Sequence, residues 1–220
     1  MVSWPILRGL YRFRAEGRER VARQGPVLLA ANHVSFLDPL LVAWPLFRPV
    51  RFLAMKPLFH NRAFGWFIRS GGAIPIDSLR GADKQGYSAG LRVLQSGGVL
   101  CVFPEGGRSI AGKLHPLKPG VVRLSRAAQV PIVPVRINGA FEVWPRSRRF
   151  PRPFGRISLE YRPPIPPPPP DENGEELNTR LEELTRRLQP SFLEGGGPRE
   201  AEAANARAQS ADHRQDTGTE

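Results

Sequence analysis

Cysteine is almost absent from the chain: Cys101 stands alone among 220 residues. A single thiol excludes an intrachain disulfide and a cysteine-based metal cluster. It sits in Gly98-Val99-Leu100-Cys101-Val102-Phe103, an apolar run that reads as a strand, so a buried structural thiol is expected. No run of about 18–20 apolar residues is present, of the kind that spans a bilayer. The N-terminus also lacks a secretory-signal pattern, because its apolar part is short and Arg residues recur straight after it. These absences lead to the expectation of an intracellular protein whose membrane contact is peripheral. The histidines, His33, His60, His115 and His213, do not group with carboxylates at ligand-like spacing, so no metal site is expected. There is no RNA-recognition motif, zinc-finger pattern or basic DNA-reading helix, and nucleic acid is not the expected partner.

Acidic residues are also scarce, with 20 Asp and Glu against 32 Lys and Arg. The imbalance is uneven. Residues 171–220 carry 6 basic and 12 acidic side chains, and residues 1–170 carry 26 and 8. The first part is therefore more basic than the whole, and such a surface favours polyanions: nucleic acid, anionic lipid or phosphorylated ligands. With 40% hydrophobic residues the chain can bury a core.

Strand-like and helix-like stretches alternate. Strands are expected near 27–31, 50–54, 72–77, 99–103, 131–137 and 156–161, and helices near 39–47, 82–96 and 120–129. This alternation predicts an α/β fold, a layered and largely parallel sheet flanked by helices. Residues 3–23 read as an N-terminal amphipathic helix, because Trp4, Leu7, Leu10, Tyr11 and Arg14 have helical spacing with Arg8, Arg12, Arg18 and Arg20 around them. Such a helix can lie in a membrane interface or pack on the domain. The aromatic and basic stretch 57–69 can wall an apolar pocket, touch lipid or join the core. Pro163, Pro164 and the prolines at 166–170 predict a stiff extended spacer. Leu177, Leu181, Leu184 and Leu188 repeat at helical spacing, giving an amphipathic helix over roughly 174–189. From Gly195 on, large apolar residues vanish, which predicts a disordered C-terminal tail. The expected organisation is a basic helix at 1–23, a main domain at 24–162, a spacer at 163–170, a helix at 171–190 and a tail at 191–220.

Two loops carry the chemistry. Asn32-His33-Val34-Ser35-Phe36-Leu37-Asp38 follows the first strand. A His whose second ring nitrogen is held by a carboxylate is an oriented base, and His33 and Asp38 have the residue types for such a pair. A His that merely caps its loop is the plainer reading. Ser35 offers a rival serine nucleophile, but no small-residue elbow surrounds it. Phe103-Pro104-Glu105-Gly106-Gly107-Arg108-Ser109 follows the 99–103 strand. Its glycines let the backbone bend and bring N–H groups close to a ligand. Arg108 offers a planar donor fork suited to phosphate, and Glu105 can hold Arg108 or a ligand hydroxyl. An ordinary strand-end turn with a surface ion pair is the alternative. In parallel sheets ligands bind beyond the carboxyl ends of strands, which puts both loops at one edge.

Together these stretches resemble the glycerolipid acyltransferase family, specifically the bacterial 1-acyl-glycerol-3-phosphate acyltransferases. Asn32, His33 and Asp38 match the family's Asn-His-x4-Asp motif. Phe103, Pro104, Glu105, Gly106, Arg108 and Ser109 match Phe-Pro-Glu-Gly-x-Arg-Ser, with Gly107 where Thr is usual. Val130 to Val135 match a Val-Pro-Ile-Val-Pro-Val strand, and Lys118 and Gly120 resemble a Lys-x-Gly step. In the second motif Gly72, Ile74, Ile76 and Asp77 fit. Ser78 stands where a phosphate-contacting Arg is usual, and Arg80 is two residues later. The resemblance spans about residues 25–137.

The resemblance implies that His33 is the general base on an acceptor hydroxyl and that Asp38 orients it. It implies that Glu105, Gly106, Arg108, Arg80 and Lys118 bind the acceptor, with Arg108 on its phosphate. It also implies that no metal or bound cofactor is needed. Acyl-CoA or acyl-carrier protein is then a substrate, lysophosphatidic acid the acceptor and phosphatidic acid the product. The expected location is peripheral, on an anionic membrane surface at the cytoplasmic face. Ser78 and Gly107 keep a second acceptor open, glycerol-3-phosphate or an amine-containing lyso-lipid. A non-catalytic basic membrane-binding protein on the same fold is the reading of another class.

Overall fold

The computed structural model describes residues 9–77, 84–171 and 174–189. Seven strands form one sheet: β1 (Arg14–Glu16), β2 (Val27–Ala31), β3 (Val50–Met55), β4 (Ala73–Ile76), β5 (Val99–Val102), β6 (Ile132–Asn138) and β7 (Ser158–Tyr161). Their spatial order is β1-β7-β6-β2-β5-β3-β4. Every pairing is parallel except β6 with β7, so β1 and β7 run against the other strands. The helices are α1 (Asp38–Ala43), α2 (Arg62–Ser70), α3 (Lys84–Gln95), α4 (Gly120–Ala128), α5 (Ala140–Val143) and α6 (Gly174–Leu188). Mixed α/β layering and a mostly parallel sheet are thus as the alternation of periods predicts.

Central β2 explains the layers. All of Val27–Ala31 is buried, the continuous apolar run that a strand covered on both faces requires. Val27, Leu29 and Ala31 join a core with Val99, Cys101, Val133 and Val135 on one face, closed by Leu41, Val42, Ala140 and Val143. Leu28 and Ala30 point the other way, to Leu100 and Ile132 under Leu94, Val122, Leu124, Leu184 and Leu188. Each such Leu, when fully buried, contributes about 1.5–3 kcal/mol. α6 therefore docks on the domain through Leu184 and Leu188. Cys101 is fully buried, and burial, then the Asp38 charge, pushes its thiol far up, which makes it inert.

Register places the loops. Leu29 pairs with Cys101 and Ala30 with Val102, so the residues after β2 emerge beside those after β5. Ala31 pairs with Val135, which brings Asn32 alongside the end of β6. The Asn32 amide donates to Ile137 O at 2.9 Å and accepts from Ile137 N at 2.7 Å. It thereby extends the ladder by a side chain and fixes where the next loop begins.

Two expectations need correction. The helix foreseen over 3–23 does not continue past Tyr11 among the described residues. Arg12 takes a positive φ of 43°, β1 follows, and Arg18–Arg20 form a short 3-10 turn. Tertiary pairing outweighs the helical spacing, because Ile157 N donates to Tyr11 O, Arg14 N to Ile157 O, and Tyr11 and Phe13 are buried. The proline segment is not a free spacer either. Ile165, its one residue with an N–H among the prolines, exchanges bonds with Ile132 at 2.7 and 2.9 Å and is fully buried. It continues the edge that β7 leaves open on β6. The segment before Gly9, Ser78, Arg80 and the 191–220 tail lie outside the described residues.

Candidate active site

The loop after β2 turns sharply onto the N-terminus of α1, and Asp38 is the residue that folds it. Its fully buried carboxylate accepts, through Oδ2, the Val34 N–H at 2.7 Å and the Ser35 N–H at 2.8 Å. His33 Nδ1 lies 2.8 Å from the same oxygen. Beside a carboxylate, Nδ1 carries the hydrogen and donates, which leaves Nε2 with its lone pair. Nε2 has no hydrogen-bond partner among the described residues, and the His33 side chain keeps 19% exposure. The Phe103 ring stacks on the imidazole at 4.1 Å and holds its plane. The expected His33–Asp38 pair is therefore formed, with an aromatic wall on one side.

Glu105 serves a different purpose from the one its neighbours suggest. It forms no hydrogen bond or ion pair with Arg108 among the described residues. Its Oε1 accepts the His33 N–H at 2.6 Å, and its Oε2 accepts the His115 N–H at 2.9 Å. Ser109 N returns a bond to His33 O at 2.8 Å, so the loops after β2 and β5 are stitched at one residue from both sides. Burial raises the Glu105 pKa, and the two N–H bonds pull against that rise. Glu105 thus holds the loop after β2, with both oxygens occupied.

Gly106 has φ +74°, and a Cβ there would lie 2.2 Å from Lys118 Nζ. The glycine is what lets the Lys118 side chain cross the loop. Gly106→Ala is expected to cost about 1–2 kcal/mol through the left-handed backbone. It should also displace Lys118 and raise KM for a phosphorylated acceptor several-fold; thermal melts and initial-rate kinetics check the two effects.

Arg108 sits over Phe36, its Cζ 3.5 Å from the ring centroid. Its Nη1 is buried without a hydrogen-bond partner. Burial first, and then the Arg146 charge, lower its pKa from the usual guanidinium value. Nη1 is thus spent on no protein acceptor among the described residues. Ser35, the rival nucleophile, is fully buried. Its hydroxyl donates to Trp144 O at 2.9 Å and accepts from Leu37 N at 3.2 Å, so it ties the loop down and cannot attack. Sequence reasoning missed this tether, the Asn32–Ile137 clamp and the Phe36–Trp144 contact at 5.2 Å. Asn32 had a signal, its place beside His33; Trp144 had none. Among the described residues no group of three His, Cys, Asp or Glu side chains could hold a metal ion. No helix there is long and apolar enough to cross a membrane.

The chain is similar to known proteins over much of its length. A family model described as Acyltransferase matches residues 12–138. An uncharacterized acyltransferase of Schizosaccharomyces pombe is 29% identical over 189 residues, covering 84% of this chain and 66% of that protein. A 1-acyl-sn-glycerol-3-phosphate acyltransferase of Streptococcus pneumoniae is 35% identical over 115 residues, 51% of this chain and 41% of that protein. One from Chlamydomonas reinhardtii is 27% identical over 172 residues, 76% of this chain and 50% of its own. The chain thus spans from about two fifths to two thirds of the length of these curated relatives. The crystal structure of the 1-acyl-sn-glycerophosphate (LPA) acyltransferase PlsC from Thermotoga maritima superposes with a TM-score of 0.64 at 26% identity, covering 80% of this chain and 69% of that one.

Proposed function

Since this chain belongs to the acyltransferase family, we propose that it moves a fatty acyl group from a thioester to the free hydroxyl of lysophosphatidic acid, giving phosphatidic acid. The observation that carries this reading is the His33–Asp38 pair, with Nδ1 held at 2.8 Å and Nε2 unpartnered beside the Arg108 guanidinium loop. His33 Nε2 takes the proton of the acceptor hydroxyl as its oxygen attacks the thioester carbonyl carbon. The C–O bond forms, the tetrahedral intermediate collapses, and the C–S bond breaks. The proton on His33 then leaves with the thiolate, so the base is restored without an acyl-enzyme. Asp38 stabilises the transient imidazolium through the same Oδ2 that fixes the tautomer. The Gly107 and Arg108 N–H groups make no hydrogen bond among the described residues and are the candidate donors to the oxyanion. Arg108, Gly106 and Lys118 take the acceptor, with Arg108 on its phosphate; Glu105 acts by positioning His33. Arg80 is a further candidate for that phosphate. Acyl-CoA or acyl-carrier protein is the donor class.

We also propose a peripheral place on an anionic membrane, at the cytoplasmic face, and exposed side chains support the membrane contact. Phe36, Leu58 and Ile110 are exposed and follow the carboxyl ends of β2, β3 and β5, the edge that carries His33. Trp66 on α2 is 71% exposed, with Arg62 and Arg69 on the same helix. Exposed aromatic and aliphatic groups among cations suit a lipid headgroup layer. The test is transfer by the pure protein from acyl-CoA and from acyl-carrier protein to lysophosphatidic acid in anionic vesicles, with glycerol-3-phosphate and an amine-containing lyso-lipid alongside. Turnover on lysophosphatidic acid with the protein pelleting on the vesicles is expected. Vesicle binding without turnover on any acceptor would overturn the enzyme reading.

A further inference from the structure

We propose that Arg146 is the second arm of a two-arginine clamp with Arg108, and that the clamp takes the dianionic phosphate monoester of the acceptor. This rests on the reading above that Arg108 faces that phosphate, and it adds a residue beyond the 12–138 region matched by the family.

Packing places the arm. Phe36 carries the Arg108 guanidinium on its ring at 3.5 Å and meets the Trp144 ring at 5.2 Å. Trp144 is in turn anchored to the catalytic loop, since its carbonyl accepts the Ser35 hydroxyl at 2.9 Å. Directly after it the chain closes a turn. Arg148 N donates to Pro145 O at 3.2 Å, and the Trp144 indole N–H donates to Arg148 O at 3.1 Å. Arg146 is the second residue of this turn and is exposed. The turn that bears Arg146 and the ring that bears Arg108 are therefore one packed unit, tied to Ser35 two residues from His33.

Charge supplies the second argument. Neither Arg108 nor Arg146 has a carboxylate within ion-pair distance among the described residues. The nearby acid, Asp38, already bonds His33, Val34 and Ser35. Arg146 is close enough for its charge to count among the causes that lower the Arg108 pKa. Two guanidinium groups kept together with no carboxylate paired to either repel, and the Asp38 charge offsets this only in part; a dianion placed between them removes that cost and gains charge-assisted bonds. Surface arginines usually find a carboxylate or open water. Here the fold instead holds one of the pair over an aromatic ring with a buried, unpartnered Nη1.

The experiment uses Arg146→Ala, Arg146→Lys and, as a control for general charge, Arg149→Ala. Transfer is measured with lysophosphatidic acid and with monoacylglycerol, which lacks the phosphate. Binding of inorganic phosphate and of glycerol-3-phosphate is read independently of turnover from tryptophan fluorescence, since Trp144 lies at the clamp. Arg146→Ala is expected to raise KM for lysophosphatidic acid about tenfold, with kcat within about twofold and monoacylglycerol transfer unchanged. It should weaken glycerol-3-phosphate binding at least about fivefold, with Arg146→Lys between and Arg149→Ala unchanged. Wild-type phosphate affinity in Arg146→Ala, or an equal loss in Arg149→Ala, would overturn the clamp. If the unaltered protein binds glycerol-3-phosphate through Arg146 yet transfers no acyl group to any acceptor, the parent reading fails and the clamp stands.

Discussion

His33→Ala should lower kcat by about 10²–10⁴-fold, the range a general base supplies, and leave the fold nearly as stable as before. Both halves of this expectation come from the hydrogen bonds. Nε2 is the one ring nitrogen free to take a proton, so nothing else in the loop replaces it. Asp38 loses only one of its donors, because the Val34 and Ser35 N–H groups remain at 2.7 and 2.8 Å. Asp38→Ala should behave differently. It removes the base's orienting partner and leaves two buried N–H groups unsatisfied, each at a cost of about 1–3 kcal/mol. Activity and thermal stability then fall together. Single-turnover rates beside urea titrations separate the two variants. A His33→Ala protein with full activity would remove the histidine from the mechanism.

The second large effect is expected at Glu105, whose two oxygens are both taken by backbone N–H groups of the neighbouring loops. Glu105→Gln replaces one acceptor oxygen by an NH₂ group, which must face either the His33 or the His115 N–H. The donor–donor clash has no rotamer that escapes it, since both oxygens are in use at 2.6 and 2.9 Å. A loss of about 1–3 kcal/mol is expected from the unsatisfied N–H. A fall in kcat of about 10–100-fold should accompany it, because His33 is shifted relative to the acceptor. The conservative exchange Glu105→Asp is too short to span both amides and should rescue neither property.

Linkage gives Glu105 a second signature. Burial raises its pKa above the ordinary 4.5. Between that value and its folded pKa the native state holds more protons than the unfolded one, so stability falls as pH rises through that window. Glu105→Gln cannot titrate, so this component of the slope should vanish. Urea midpoints for both proteins, taken across and above the carboxylate range, read the difference directly. A Gln variant with an unchanged slope would show that the buried carboxylate does not titrate there.

Much of this architecture could be read locally. Val27–Ala31 and Val99–Val102 are continuous apolar runs, and only strands covered on both faces bury such runs. Their parallel alternation with helices put the two following loops at one sheet edge, and the structure has them there. The His33–Asp38 pair was legible because it closes within a single turn, five residues apart. The Leu177–Leu188 spacing was legible as a helix for the same reason, since its signal repeats inside one window. Residues 10–16 show where that kind of reading fails. A helical spacing of apolar side chains competes there with an edge of β7 that wants a partner, and pairing with residues 157–160 wins.

What the amino-acid sequence determined by itself was therefore the set of strands around β2, the His33–Asp38 pair and the glycine-bent loop after β5. Periodicity, turn chemistry and short-range hydrogen bonds set all three within a few residues. Only the tertiary structure decided that Glu105 holds His33 across 72 positions and that Ser35 ties down Trp144 across 109. It alone turned the Ile165 segment into part of the sheet edge and laid Arg108 on Phe36. The physical reason is register. A partner that far along the chain is chosen by which strands lie side by side and in what alignment, and no local window contains that alignment.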